Sequence, residues 1–337
     1  MSSPSVTETA VATRTLTFAQ AINEALAEEL RRDATVFIVG EDVAEAGTPF
    51  KVLSGLVEEF GPERVLDSPI SEAGITGLGV GAAMTGMRPV VDIMFGDFLT
   101  LVMDQLANQA AKTHYMSGGK LRVPLTLRTT MGATRRSAAQ HSQSLHAWVA
   151  HVPGLKVVLP STPADAKGLL KTAIRDDNPV VFIEDKMDYA IKGEVPDGEY
   201  TIPLGVADVK RTGEDVTVVA TSSMVRVALA AAEQLEADGI SAEVIDPRTL
   251  VPLDRDALVA SAKKTGRAIV VDEGHRGYGA SAELAAVIAE GAFWSLDAPE
   301  RRLAALDVPI PFSPPLEDAP VPTPDLVAQT ARELVHG

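Results

Sequence analysis

Asp67 to Val80, D-S-P-I-S-E-A-G-I-T-G-L-G-V, combines one carboxylate with an unusual density of glycine. Glu72 sits between the end of an expected strand and a helix that holds Gly74, Gly77 and Gly81 on one face, at i, i+3 and i+7. Each glycine inside a helix costs about 1 kcal/mol relative to alanine. Such a face is kept where a partner or ligand approaches the backbone closely, and an acid beside it can work on a bound group. Gly77-Leu78-Gly79-Val80-Gly81-Ala82 also satisfies G-x-G-x-x-A, with Asp97 twenty residues on. A dinucleotide fingerprint belongs in the turn directly after a strand. Here Ser-Pro-Ile-Ser-Glu-Ala-Gly intervenes, so a stand-alone NAD dehydrogenase is set aside.

Three further segments carry chemistry. In F-G-D-F (95–98), Phe98 is either an ordinary core aromatic or, just past a strand end, a ring that stacks on a flat heterocycle. In A-A-Q-H-S-Q-S-L-H-A-W-V-A-H (138–151), the histidines 141, 146 and 151 are spaced by five, which does not put them on one helix face for a metal. His141 precedes the expected helix in a loop, where it is available for proton transfer or anion contact. His146 and His151 read as packing or surface residues. In A-I-R-D-D-N-P (173–179), Asp176 and Asn178 mark either a turn or, with backbone carbonyls, a monovalent-cation site of oxygen ligands.

The elements that must position these residues alternate. Thr17 and Gln20 form a capping box before an amphipathic helix. Apolar strands follow at 36–39, 89–95, 124–128, 156–159 and 179–184, with helices between, notably 97–112 and 163–175. Continuous apolar strands alternating with helices imply a parallel sheet covered on both faces. A polar, turn-rich stretch near 186–206 interrupts this pattern. It resumes with strands at 216–220, 242–246 and 268–273 and helices near 224–237, 254–264 and 279–291. The expected organisation is a tail over 1–14, an α/β domain over 15–188, a linker over 189–206 and a second α/β domain over 207–337. Residues 308–324, rich in proline, read as an extended arm before the last helix.

Composition excludes whole classes. With 46% hydrophobic and 23% charged residues the 337-residue chain is a folded protein. A net charge of −16 argues against a nucleic-acid partner. The absence of cysteine removes disulfides, thiolate metal sites and a cysteine nucleophile. The apolar window 89–108 is broken by Asp92, Asp97 and Asp104, so no membrane span is expected, and the start shows no targeting pattern. A cytoplasmic setting is the expectation.

In order, D-S-P-I-S-E-A-G-I, F-G-D-F, A-A-K-x-x-Y-M-S-G-G, A-A-Q-H-S-Q-S, H-V-P-G-L-K-V-V, A-I-R-D-D-N-P-V-V-F and V-I-D-x-R-T-L-x-P-L-D closely resemble one family. It is the beta subunit of the thiamine-diphosphate-dependent first component of 2-oxo acid dehydrogenase complexes, which includes pyruvate, branched-chain and acetoin dehydrogenases. The resemblance runs from about residue 15 to the C-terminus. It implies a transketolase-like pair of domains, one binding the cofactor's pyrimidine. Glu72 falls on the glutamate that hydrogen-bonds the aminopyrimidine nitrogen, Phe98 on the stacking aromatic, and Ile70 on a cofactor-lining position. His141 falls on the histidine assigned to the reacting centre and the incoming lipoyl group. Leu125, Ala173, Ile174, Asp176 and Asn178 match a potassium site, mostly through carbonyls.

One departure is informative. Thiamine enzymes hold Mg2+ and the diphosphate on a G-D-G segment followed by asparagine, and this chain has only Gly96-Asp97-Phe98 and Pro196-Asp197-Gly198. The resemblance therefore implies that an alpha subunit supplies that half, in an alpha2beta2 heterotetramer that passes its acyl group to the lipoyl domain of a dihydrolipoyl acyltransferase core. The segment around His141 is similar in pyruvate and acetoin members, with the branched-chain enzyme third. A non-catalytic subunit that docks the alpha chain to the core is the alternative of another class.

Overall fold

The computed structural model describes residues 12–337. Two layered α/β domains account for most of them. The first is built on a seven-stranded sheet, ordered β12-β6-β7-β5-β4-β2-β3. Its strands are β2 (Val36–Gly40), β3 (Val65–Asp67), β4 (Arg88–Ile93), β5 (Thr126–Met131), β6 (Lys156–Val158), β7 (Val180–Asp185) and the edge strand β12 (Thr249–Val251). β2 to β7 pair in parallel, and β12 pairs antiparallel with β6. The central strands are buried along their whole length, as a sheet covered on both faces requires.

The second sheet has the order β14-β13-β10-β11-β9. It consists of β9 (Asp208–Arg211), β10 (Val216–Ala220), β11 (Ala242–Asp246), β13 (Ala268–His275) and β14 (Arg301–Ala305), parallel except for β9. The expected fold class therefore stands, with antiparallel strands at one edge of each sheet. No helix among the described residues is long and apolar enough to cross a membrane.

Several elements depart from expectation. Residues 1–11 of the expected tail lie outside the described residues, while Thr13 and Arg14 open β1 (Thr13–Thr17). β1 pairs antiparallel with β8 (Lys192–Pro196), so the expected linker carries a strand. The expected helix over 97–112 is a 3-10 turn (Gly96–Phe98), an α-helical turn (Leu99–Met103), a π-helical segment (Asp104–Ala110) and a further α-helical turn (Ala111–Met116). The proline-rich arm contains the helix Pro314–Asp318, which starts on prolines at positions where no amide is needed. β12 crosses from beyond the expected linker to cap the first sheet.

The capping box forms as read: Gln20 N–H donates to Thr17 Oγ1 at 3.1 Å and Thr17 N–H to Gln20 Oε1 at 2.9 Å. It launches the helix Phe18–Arg32, which packs against the helix Pro163–Arg175. Buried Lys167 and Lys171 bridge the two through Glu24 and Glu28. Within the first sheet, Arg128 of β5 lies buried between Asp92 of β4 and Glu184 of β7, and Tyr189 donates to the same Glu184.

Candidate active site

The expected site residues Ile70, Glu72, Phe98 and His141, together with Glu41 and Phe95, follow the carboxyl ends of neighbouring parallel strands. Glu41 follows β2, Ile70 and Glu72 follow β3, Phe95 and Phe98 follow β4, and His141 lies on the long loop after β5. In such sheets ligands collect at that edge. The strand ends are drawn close because Gly40 leaves no side chain: a Cβ there would fall 2.7 Å from Asp92 O. Ser68 N–H, after β3, donates to Gly40 O at 2.9 Å and fixes the start of the D-S-P-I-S-E segment.

Glu72 opens the helix Glu72–Met84 and is half-buried. Glu41 faces it. Burial, then the charge of Glu72, pushes the Glu41 carboxyl above its ordinary range, and its Oε1 is buried without a hydrogen-bond partner. Ile70 is 82% exposed. Within this helix the glycines divide. Gly79 packs on the sheet, where a Cβ would meet Val91 Cγ2 at 2.5 Å and Leu125 Cδ1 at 3.1 Å. Gly77 and Gly81 are exposed and a Cβ on either would meet no atom closer than 3.9 Å. The fingerprint-like glycines thus lie inside a helix, not in a strand-to-helix turn.

Phe98 and His141 come together. The imidazole lies 5.5 Å from the Phe98 ring and 4.5 Å from Phe95, both edge-on, and Phe95 meets Phe98 at 6.1 Å. Gly96 allows the turn that carries Phe98 to press on β5, since a Cβ there would lie 2.5 Å from Thr130 O. Asp97 is buried and accepts from Gln143, N–H at 3.2 Å and Nε2 at 2.9 Å, which ties the F-G-D-F turn to the His141 loop. The carbonyl of His141 accepts from the ammonium of Lys186, and burial lowers the pKa of that lysine from its ordinary value.

Glu41, Phe95 and Lys186 were not singled out from sequence. The Gly40-Glu41-Asp42 strand end was the available signal for the first, and the second lies within F-G-D-F itself. Nothing local marks Lys186, whose role depends on a contact 45 residues away. His146 is fully buried and pairs with Asp272 of β13 at 3.1 Å, while His151 is exposed.

The five positions matched to a cation site also converge, around the last turn of the helix Pro163–Arg175. Leu125 O accepts Val180 N–H at 2.8 Å and Ala173 O accepts Asp176 N–H at 3.2 Å. Arg88 Nη1 donates to Ile174 O at 3.1 Å and Asp176 O at 2.9 Å. The Asp176 carboxylate takes Asn178 on one oxygen and Lys156 on the other. The oxygens suit a hard cation in type, and each carbonyl keeps a second lone pair. Arg88 already serves two of them.

Residues 14–192 match the transketolase pyrimidine-binding domain and residues 205–327 the transketolase C-terminal domain. The chain is 51% identical to the acetoin:2,6-dichlorophenolindophenol oxidoreductase subunit beta of Bacillus subtilis, across 96% of this chain and 98% of that protein. It is 47% identical to the 2-oxoisovalerate dehydrogenase subunit beta of the same organism, across 95% of this chain and 99% of that one. It is also 47% identical to the pyruvate dehydrogenase E1 component subunit beta of Rhizobium meliloti, across 96% of this chain and 70% of that one. A split-gene transketolase, solved as an inactive beta4 tetramer, shares the fold with a TM-score of 0.78 at 23% identity, over 95% of this chain and 98% of that one.

Proposed function

The chain belongs to the transketolase-like family of beta subunits of 2-oxo acid and acetoin dehydrogenases, and from that membership we propose that it works with an alpha chain as a thiamine-diphosphate-dependent dehydrogenase of pyruvate, acetoin or a branched 2-oxo acid. The acyl group goes to a lipoyl domain of an acyltransferase core. The observation that carries this is the convergence of Glu72, Phe98 and His141 at one sheet edge.

The residues present fit the cofactor. An orphaned acceptor at Glu41 and the half-buried Phe98 ring suit a flat polar heterocycle, and the exposed glycine face at Gly77 and Gly81 leaves room for the alpha chain. Thiamine diphosphate, when bound, supplies an electron sink for breaking the bond beside the substrate carbonyl. Glu72 would hold a proton between its carboxylate and the pyrimidine nitrogen, acting as an acid–base group. Phe98 would stack on the ring, and Ile70 would offer it apolar surface. His141, with one imidazole edge against two phenyl rings, would move a proton or orient the lipoyl thiol at the transfer step. The missing G-D-G segment leaves Mg2+ and the diphosphate to the alpha chain.

Reconstitution tests this directly. With its alpha chain the protein should reduce an artificial electron acceptor on one of the three substrate classes, and alone it should not. Strong turnover by the isolated chain would contradict the shared site. Potassium at Leu125, Ala173, Ile174, Asp176 and Asn178 belongs to the same proposal, shared with Arg88. Replacing potassium by sodium should lower the melting temperature of the pair, and an unchanged value would remove that ion from the account.

A further inference from the structure

The loop that delivers His141 is strained, and the C-terminal domain pins it. Thr134, Arg136 and Ala138 hold φ of 67°, 62° and 61°, in the left-handed region. Each such residue costs of order 1 kcal/mol or more and persists only where neighbours over-determine it. Two groups do so here. Glu273 at the end of β13 accepts Ala133 N–H at 2.6 Å, and Glu317 with Asp318 holds Arg136.

Glu273 has a neighbour that is hard to explain if both are ionised. Asp185, at the end of β7, is 1% exposed, Glu273 is 6% exposed, and the two line one cavity of about 220 Å³ between the domains. Asp185 Oδ1 accepts Met187 N–H at 2.7 Å, yet Oδ2 is buried with no partner. Gly132 leaves room for that oxygen, since a Cβ there would lie 2.7 Å from it. One ammonium, Lys186, stands among these acids, and it is committed to the His141 carbonyl. Two adjacent buried carboxyls cannot both ionise cheaply. Burial first, then the charge of Asp185, pushes the Glu273 carboxyl well above its ordinary range. A proton on Glu273 gives Asp185 Oδ2 the donor it lacks.

We propose that Glu273 is a positioning residue for His141: as a neutral acid it donates to Asp185 across the domain interface and accepts Ala133 N–H, and so holds the strained loop in its working shape. The other charged groups around the pair are Lys186 beside both acids, Glu317 acting on Lys186, Arg226 on the helix Met224–Ala237 and Asp318 lining the same cavity, and Asp188, which faces Asp185 and Arg226. The sign follows from the raised pKa. The proton is held at low pH and lost as pH rises through the raised pKa, so His141 positioning fails on the alkaline side of that point. Asp188, pushed up to about 7 by burial and then Asp185, also titrates in this cluster, and Asp188→Asn isolates its contribution.

The role assigned to Glu273 rests on the acyl-transfer reading of His141, whereas the shared proton does not. In the holoenzyme with its alpha chain, infrared difference spectra across pH read the protonated carboxyl, and acylation of a lipoyl domain reads the loop. Wild type should lose the carboxyl band and the acylation rate together as pH rises. Glu273→Gln, which keeps a donor toward Asp185 and an acceptor for Ala133, should lack the band, retain most of the acylation at neutral pH and lose the alkaline fall. Glu273→Ala should lose about ten- to a hundredfold in acylation at every pH, the scale of a misplaced group. Asp185→Asn should move the alkaline fall to lower pH, because it removes the charge that helps keep Glu273 protonated. No band removed by Glu273→Gln, or a Glu273→Gln variant as damaged as Glu273→Ala, would overturn the proposal. The band without turnover on any of the three substrates would overturn the activity reading and leave the shared proton standing.

Discussion

At the carboxyl edge of the first sheet, Glu41 Oε1 and Asp97 Oδ2 are buried without partners, and the rings of Phe98 and His141 stand half-exposed. At the same edge of the second sheet the acids are answered from the other domain. Asp272 pairs with His146, Asp246 accepts from Ser161, and Glu273 accepts from Ala133. Both sheets are built from buried parallel strands, and both put carboxylates at their ends. One edge keeps its acceptors for something that arrives, and the other spends them on domain docking. Orphaned buried acceptors are costly in a finished fold, so the difference points to the edge at which a ligand and a partner complete the structure.

Substitutions can break this contrast. At the open edge, Glu72→Gln should lower turnover of the reconstituted pair by about 10²- to 10⁴-fold, the range of a lost acid–base group, with its melting temperature unchanged. A fall in melting temperature of the same order as a core mutation would make Glu72 structural. Just beneath that edge, Arg128→Ala strands Asp92 and Glu184 and should cost about 3–5 kcal/mol in denaturant unfolding. At the closed edge, His146→Ala removes the partner of buried Asp272 and should cost about 1–3 kcal/mol, with cofactor affinity of the pair unaltered. An affinity loss there would blur the distinction between the edges.

The glycine helix sharpens it further. Gly79→Ala overpacks Val91 and Leu125 and should destabilise the chain by about 1–3 kcal/mol. Gly81→Ala meets nothing in the chain and should stabilise it by up to about 1 kcal/mol. The same change should weaken assembly with the alpha chain, measured by analytical ultracentrifugation. Unchanged assembly would mean that the open glycine face is not the contact.

Much of this was legible from residues. The central strands announced themselves because a parallel sheet buries both faces and so reads as continuous apolar runs. Thr17 and Gln20 announced a helix start because capping is local. The edge strand β12 did not, because T-L-V is short and its pairing with β6 is set by distant packing. The helix Pro314–Asp318 was hidden by its prolines, which look like an extended arm unless they are taken as a first helical turn. Glu72, Phe98 and His141 drew attention because each lies in a dense motif, at a helix start, just past a strand end and in a loop respectively. Lys186 was missed because a single charge after a strand looks like any turn residue, and Glu273 because its partners lie far away in the sequence. V-V-D-E at 270–273, two acids closing a buried strand, was the cue for Glu273.

The central claim is that this chain provides one half of a cofactor site. Calorimetric titration of thiamine diphosphate with Mg2+ into the chain alone, the alpha chain alone and the two together tests it most directly. The account predicts saturable, stoichiometric binding by the pair, weak binding by either chain alone, and weakened binding by the pair carrying Glu72→Gln. Tight stoichiometric binding by the isolated chain, unaffected by Glu72→Gln, would contradict it.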